Sequence, residues 1–170
     1  MEYITAIKKP FENPDLYLAL SLLSFIPLMN IYVLGYLLDF CAGNELEGRK
    51  MVRRFVRGSE AFALVVIYSF LPALCVYLFS LKAGIVAAFL LFPPFTRSIY
   101  RLSKGSMEDA IELKVLFESY RLSYLGELLK ISLVTLLSFL IHLLIPVIGW
   151  VGILYGPSAS FLYMLGRLPE

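Results

Sequence analysis

The chain has a single histidine, His142, inside a long apolar run. An ionisable side chain there could carry a proton, bind a metal or join two helices. Metal binding needs further ligands, but no second histidine or cysteine stands at ligand spacing from His142. Its run also lacks a carboxylate with which it could share a proton. We therefore expect His142 to make a structural hydrogen bond between helices. Asn30, also in an apolar run, is expected to be a turn residue rather than an ion ligand.

A cluster of cations forms the second candidate site. Arg49, Arg53 and Arg57 recur every fourth residue and share one helix face, while apolar side chains occupy the other. Such a helix can lie on a membrane, where each cation contributes roughly 1 kcal/mol of attraction to an anionic leaflet. This cluster has two alternative roles. It either docks to lipid head groups or a cytosolic partner, or simply orients the bundle on the membrane. Its members are Arg49, Lys50, Arg53, Arg54 and Arg57.

The elements that hold these residues are membrane segments. Four runs without Asp, Glu, Lys or Arg make up more than half of the chain: Leu16 to Leu38, Ala61 to Leu81, Ala83 to Thr96 and Ile131 to Gly166. With 59% hydrophobic and only 16% charged residues, the composition departs from that of soluble proteins, which have about 25% charged residues. We expect an all-α, polytopic membrane protein with a single domain over residues 1–170. A net charge of +2 is too small to indicate nucleic acid as a partner.

The lengths of the runs predict hairpins. Residues 131–166 would form a helix about 54 Å long, against a hydrocarbon core of about 30 Å, so the run must turn, and Pro146 supplies the break. Lys82 marks a similar turn. The first run, interrupted by Pro27, is either one kinked span or a shallow hairpin.

Charge placement decides between these arrangements. Lys and Arg favour the cytoplasmic side of a membrane, and the basic clusters share one side only if all three apolar blocks are hairpins. The sequence therefore predicts a cell-membrane protein with six short segments in three hairpins. Both termini and both long loops are predicted to be cytoplasmic, with amphipathic interfacial helices over residues 48–58 and 106–130.

Small residues predict where helices pack closely. Gly152, Gly156 and Ser160 are spaced by four and so form a ridge on one helix face, which lets a neighbouring backbone approach. The neighbour could belong to the same chain or to a second copy.

Short motifs in the first 72 residues resemble an uncharacterised prokaryotic, mainly archaeal, multi-pass membrane family known only as a domain of unknown function. The motifs are Ala6 to Phe11, Gly35-Tyr36, Phe55-x-x-Gly58-x-x-Ala61-Phe62, Ile67-Tyr68 and Pro72. Where that family often has Leu-Pro-x-Trp, this chain has Leu46 to Arg49. The resemblance implies an integral membrane protein of a few hairpins and brings no known active site.

Three classes of function follow, in decreasing order of support. The first is a noncatalytic scaffold or bilayer-shaping bundle that contacts anionic lipids and forms homo-oligomers or binds other membrane proteins. The second is a channel or transporter subunit, favoured by a faint repeat between the first and third hairpins but in need of several intramembrane polar groups. The third is an enzyme, for which we find no nucleophile, metal or cofactor motif, so no cofactor is expected.

Overall fold

The computed structural model describes residues 2–42, 51–144, 152 and 154–168, and within them all regular secondary structure is helical. A short 3-10 turn, Lys9–Phe11, precedes the second helix. The predicted all-α class is confirmed. The α-helices, numbered in chain order, are α1 (Glu2–Lys8), α2 (Pro14–Leu23), α3 (Pro27–Cys41), α4 (Met51–Leu78), α5 (Leu81–Lys104), α6 (Met107–Ile111), α7 (Leu113–Ser119), α8 (Leu122–Leu144) and α9 (Tyr155–Leu165).

Among the described helices, α4, α5 and α8 are long and apolar enough to cross a membrane, with 28, 24 and 23 residues. The helices α2, α3 and α9, with 10, 15 and 11 residues, reach only about 15, 22 and 16 Å at 1.5 Å per residue. The structure is therefore that of a helical membrane protein with three helices of spanning length in its described part. The predicted count of six segments stays a prediction.

Proline chemistry sets the break between α2 and α3. Ile26 is extended (φ −97°, ψ 115°), because a residue before proline is kept out of helical geometry, and Pro27 then begins α3. The turn therefore lies at residues 24–26. Asn30, expected in the turn, is instead exposed in the first turn of α3, where its N–H donates to the carbonyl of Ile26 at 2.8 Å.

A two-residue turn, Phe79 and Ser80, joins α4 to α5. The Ser80 side chain caps α5 by accepting a hydrogen bond from the Ala83 N–H at 3.3 Å. The reversal lies beside Lys82, where the sequence places it, and α4 and α5 pack against each other.

The predicted interfacial helices have other boundaries in the structure. Residues 51–58 are the first two turns of α4, which continues without a break to Leu78. Residues 106–130 are divided among α6, α7 and the first part of α8. At the start of this segment Ser106 and Asp109 form a capping box, in which the Ser106 side chain accepts from the Asp109 N–H and the Asp109 carboxylate accepts from the Ser106 N–H.

Burial divides the α4–α5 pair into two halves, which we call the base (residues 51–64 and 93–104) and the tip (residues 65–92). The buried residues of α4 lie between Arg54 and Leu64, and those of α5 lie between Pro93 and Ser103 except for Gly84, which faces Val76 of α4. Large apolar side chains of the tip are exposed, including Phe70, Tyr77, Phe79, Leu81 and Phe89, which are 67 to 86% exposed. A surface of this composition fits a hydrocarbon solvent.

The two ends of α5 should lie on opposite sides of the membrane. Lys82 and Lys104 are separated by about 33 Å of helix, which exceeds the hydrocarbon thickness of about 30 Å. With Cys41 and Cys75 replaced by alanine, we expect the cysteines of Lys82→Cys and Lys104→Cys to differ in their labelling by thiol reagents in intact cells. One should react with an impermeant maleimide at once, and the other only after lysis. Labelling of both positions from the same side would contradict a spanning α5.

Candidate functional site

The structure separates the cations of the predicted lipid-contact cluster. Arg49 and Lys50 lie outside the described residues, and Arg53 is exposed at the start of α4. Arg54 and Arg57, by contrast, contact other helices. The sequence did not separate these roles, because a four-residue period places cations on one helix face but does not identify a partner helix.

Arg54 is an internal residue, only 3% exposed. Its Nε donates to the Asp39 carboxylate at 3.1 Å, its Nη1 donates to the Tyr32 hydroxyl at 3.3 Å, and its guanidinium lies 5.1 Å from the centre of the Tyr36 ring. Asp39 is also buried. The predicted head-group contact does not fit this position, since α3 covers the guanidinium.

Two glycines allow α3 and α4 to come together at this ion pair. A Cβ on Gly35 would lie 1.7 Å from the Arg54 carbonyl oxygen, and a Cβ on Gly58 would lie 1.7 Å from the Ile31 carbonyl oxygen. Any side chain at either position would therefore push the two backbones apart. Both glycines belong to the motifs quoted above for the family resemblance, which was the one sequence signal for this contact.

Arg57 joins α4 to the end of α5. It donates to the carbonyls of Leu102 at 2.6 Å, Ser103 at 3.0 Å and Gly105 at 2.9 Å. The last carbonyls of a helix have no partner within the helix and carry partial negative charge, so a guanidinium there satisfies both needs. Arg57 is thus a link between helices at the base.

His142 lies on α8 and is fully buried. Its Nδ1 is 2.7 Å from the Ser138 carbonyl one turn earlier, and its ring stacks on Phe11 with centroids 5.1 Å apart. This hydrogen bond is therefore within α8, whereas the expectation was a bond between helices. The contact with α9 is steric, because a Cβ on Gly156 would lie 2.0 Å from His142 Nε2.

The small-residue ridge lies against other parts of the same chain. Gly152 faces Tyr17, whose hydroxyl oxygen would be 1.4 Å from an added Cβ, and Gly156 faces His142. The Ser160 hydroxyl is 3.1 Å from the Ser138 hydroxyl. The described contacts of Gly152, Gly156 and Ser160 are thus within one chain.

An apolar cavity of about 450 Å³ lies between α3, α4, α5, α8 and α9. Its hydroxyl groups are already bonded to their own helices, because Ser132, Thr135 and Ser158 donate to carbonyls four residues earlier at 2.7 to 2.9 Å. The remaining surface is apolar and suits hydrocarbon. It is lined by Leu34, Leu37, Leu38, Ala61, Val65, Phe92, Phe95, Ile99, Pro157, Phe161 and Leu162.

A polar network joins α5 to α7. Arg101 donates to the Glu118 carboxylate at 2.6 Å and to Glu112 at 3.1 Å, and Arg97 lies 3.6 Å from Glu118. Burial disfavours the charged form of Glu118, but the bond from Arg101 and the charges of Arg101, Arg97 and Lys114 outweigh it and lower its pKa. Within the described residues, no group of three or more His, Cys, Asp or Glu could hold a metal ion.

Loss of Arg54 should destabilise the protein far more than loss of its exposed neighbour. Arg54→Ala leaves Asp39 buried without its cation, a change that typically costs about 3 to 5 kcal/mol. Arg53→Ala should change the free energy of unfolding by less than about 0.5 kcal/mol. The paired variant Arg54→Met with Asp39→Leu should recover most of the loss. Unfolding in mixed micelles followed by circular dichroism measures all three, and equal losses for Arg53 and Arg54 would refute the internal role.

The Glu118 network predicts acid sensitivity. Because the folded-state pKa is lowered, Glu118 stabilises the fold above the ordinary glutamate pKa, and this contribution is lost as pH falls through the folded-state value. Glu118→Gln should therefore lower the melting temperature at pH 7, and the gap from wild type should close at acidic pH. The exposed Glu108→Gln is the control. A gap that is independent of pH would count against this assignment.

The chain was compared with protein-family models, with characterised proteins and with solved structures, and none of them matches it. The resemblance to a multi-pass family thus stays an expectation from the quoted motifs. Function is inferred below from the geometry of the helices and the chemistry of their surfaces.

Proposed function

We propose that this integral membrane protein is a noncatalytic bundle that shapes the bilayer, with its base toward the cytoplasm. The observation that carries the proposal is the unequal thickness of the molecule along α4 and α5. At the tip these two helices have large exposed apolar side chains, whereas at the base they are buried against further helices.

The short helices account for this difference. The helix α3 packs on α4, and α9 packs on α3 and α8. At about 15 to 22 Å, α2, α3 and α9 fill little more than one leaflet, whose hydrocarbon is about 15 Å deep. The protein therefore displaces more lipid in the leaflet that holds its base than in the other leaflet. An inclusion of this shape favours a membrane that is convex on the base side.

Orientation follows from charge. The base carries Arg53, Arg57, Arg97, Arg101 and Lys104, while the tip carries only Lys82. By the bias of Lys and Arg toward the cytoplasm, the base is cytoplasmic. In the full proposal, α2–α3, α4–α5 and α8–α9 are three hairpins that return both termini to this side. Lys82→Cys is then the position that an impermeant reagent reaches from outside the cell.

The surface chemistry supports a bundle over a conducting pore or an enzyme. The cavity between the helices is apolar, and its hydroxyls are engaged by their own backbones. An ion or polar substrate would need several intramembrane polar ligands. The natural occupants of the apolar surfaces are lipid chains, with anionic lipids near the basic base and a second copy of the chain as a further candidate at the tip.

Sorting by membrane curvature tests the proposal. Fluorescently labelled protein is reconstituted into giant vesicles, and a thin tube is pulled from each vesicle. Molecules whose base lies in the outer, convex leaflet should be enriched in the tube over the flat membrane. Those with the opposite insertion should be depleted, and selective quenching of a label at Lys104→Cys separates the two populations. The oppositely inserted molecules are the matched control because they have the same sequence and lipid.

Two results would contradict the proposal. Equal partitioning of both orientations between tube and flat membrane would show that the shape has no effect on curvature. Rapid, saturable ion or solute flux through the same proteoliposomes would instead favour the channel or transporter class.

A further inference from the structure

The cytoplasm-facing half of α5 carries three cations on one face. Arg97, Arg101 and Lys104 are spaced by four and three residues, so their side chains lie along the same side of the helix. Two adjoining cavities of about 290 and 390 Å³ open at this face, and Arg97 and Glu118 line both. This cleft between α5, α7 and the start of α8 lies apart from the cationic segment at residues 49–57.

Arg97 is held in place without a hydrogen bond from its guanidinium to any of the described residues. Its side chain is 13% exposed, and the guanidinium lies 5.3 Å from the ring centres of both Tyr100 and Tyr124. Its ion contact, Nη2 to Glu118 at 3.6 Å, is longer than a hydrogen bond, and its buried Nε has no hydrogen-bond partner among the residues that the structure describes. A guanidinium has five N–H donors in a planar fork, which matches two oxygens of a phosphate.

The acidic residues that line the cleft are already occupied. Glu118 accepts from Arg101 at 2.6 Å, Asp109 accepts from the Ser106 N–H at 2.9 Å, and Glu127 pairs with Lys130 at 2.6 Å. Lys104 is exposed and has no ion pair within the described part of the chain. The cations Arg101 and Lys130 thus offset the charges of Glu118 and Glu127, while hydrogen bonds from Ser106 hold the charged Asp109 carboxylate. Within the described residues, Arg97 and Lys104 remain as cationic donors without a hydrogen-bonded acidic partner.

The position of the cleft indicates the kind of anion. Arg97 is the first charged residue after the apolar run that ends at Thr96, and it stands about two turns before the end of α5, where a long cationic side chain can reach toward the head groups. Tyr100 and Tyr124 flank it, as aromatic residues do at the level of lipid head groups. We propose that this cleft binds a phosphate group, held by Arg97 and Lys104 beside the positive charge of Arg101, and supplied by an anionic phospholipid or by free phosphate.

Binding measurements on the full chain in detergent micelles test the site. The probes are short-chain phosphatidic acid, phosphatidylcholine of the same chain length, and inorganic phosphate, titrated by calorimetry. Wild type should bind phosphatidic acid more tightly than phosphatidylcholine. Removing one charge-assisted contact with Arg97→Gln should weaken binding of phosphatidic acid about tenfold. Arg53→Gln, which removes one exposed charge at the same end of the molecule, should change binding by less than about twofold.

The inorganic phosphate arm identifies the source. If inorganic phosphate binds, or displaces phosphatidic acid, and loses affinity in Arg97→Gln, the ligand is free phosphate. If only the lipid binds, it is a head group. The site is refuted if wild type binds no probe, if phosphatidylcholine binds equally well, or if Arg53→Gln weakens binding as much as Arg97→Gln. Should Arg97→Gln fail to fold by circular dichroism, the exposed Lys104→Gln decides, and unchanged affinity in that variant overturns the proposal.

Discussion

The contact between α3 and α4 is the interaction on which the base depends. Without a Cβ on Gly35 or Gly58, each helix backbone touches a carbonyl of the other, and this brings Asp39 to Arg54. A buried ion pair is stable only when its remaining polar groups are also satisfied. Here Tyr32 accepts from the guanidinium and the Tyr36 ring lies against it. Close packing and charge compensation thus require each other. The close contact buries both charges, and each charge can stay buried only because the other helix supplies its partner.

The need to hydrogen-bond every backbone carbonyl imposes a similar constraint on α5. Pro93 and Pro94 have no N–H, so the carbonyls of Phe89 and Leu90 lose their helical donors, a serious cost next to hydrocarbon. The hydroxyl of Tyr120, between α7 and α8, donates to the Leu90 carbonyl. The hydrogen bond that the Leu90 carbonyl lacks within α5 is therefore supplied by a side chain from another segment. This bond also holds that segment beside the point where the tip meets the base.

Sequence patterns predicted the features that depend on local or solvent chemistry. The charge-free runs predicted the helical membrane class, and Lys82 located the turn between α4 and α5. Features that depend on pairs of distant residues were missed. The charge on Arg54 shows that the side chain needs polar surroundings, but water, a lipid head group and Asp39 would each provide them. Only the folded structure shows that the partner is Asp39. The bond from Tyr120 to α5 was missed for the same reason, because periodicity does not show where a hydroxyl points.

The distribution of polar groups agrees with the proposal that this bundle acts on lipid through its shape. Arg54, Arg57 and Arg101 hold helices together at the base, so their charges serve the fold first. The tip has two helices and one cation, and its outer surface is apolar. Ordinary lipid chains contact such a surface without specific bonds, so the tip favours a hydrocarbon environment and has no means of recognising a particular lipid. Under the proposals above, specific recognition is confined to the base, where the Arg97 Nε has no hydrogen-bond partner among the described residues.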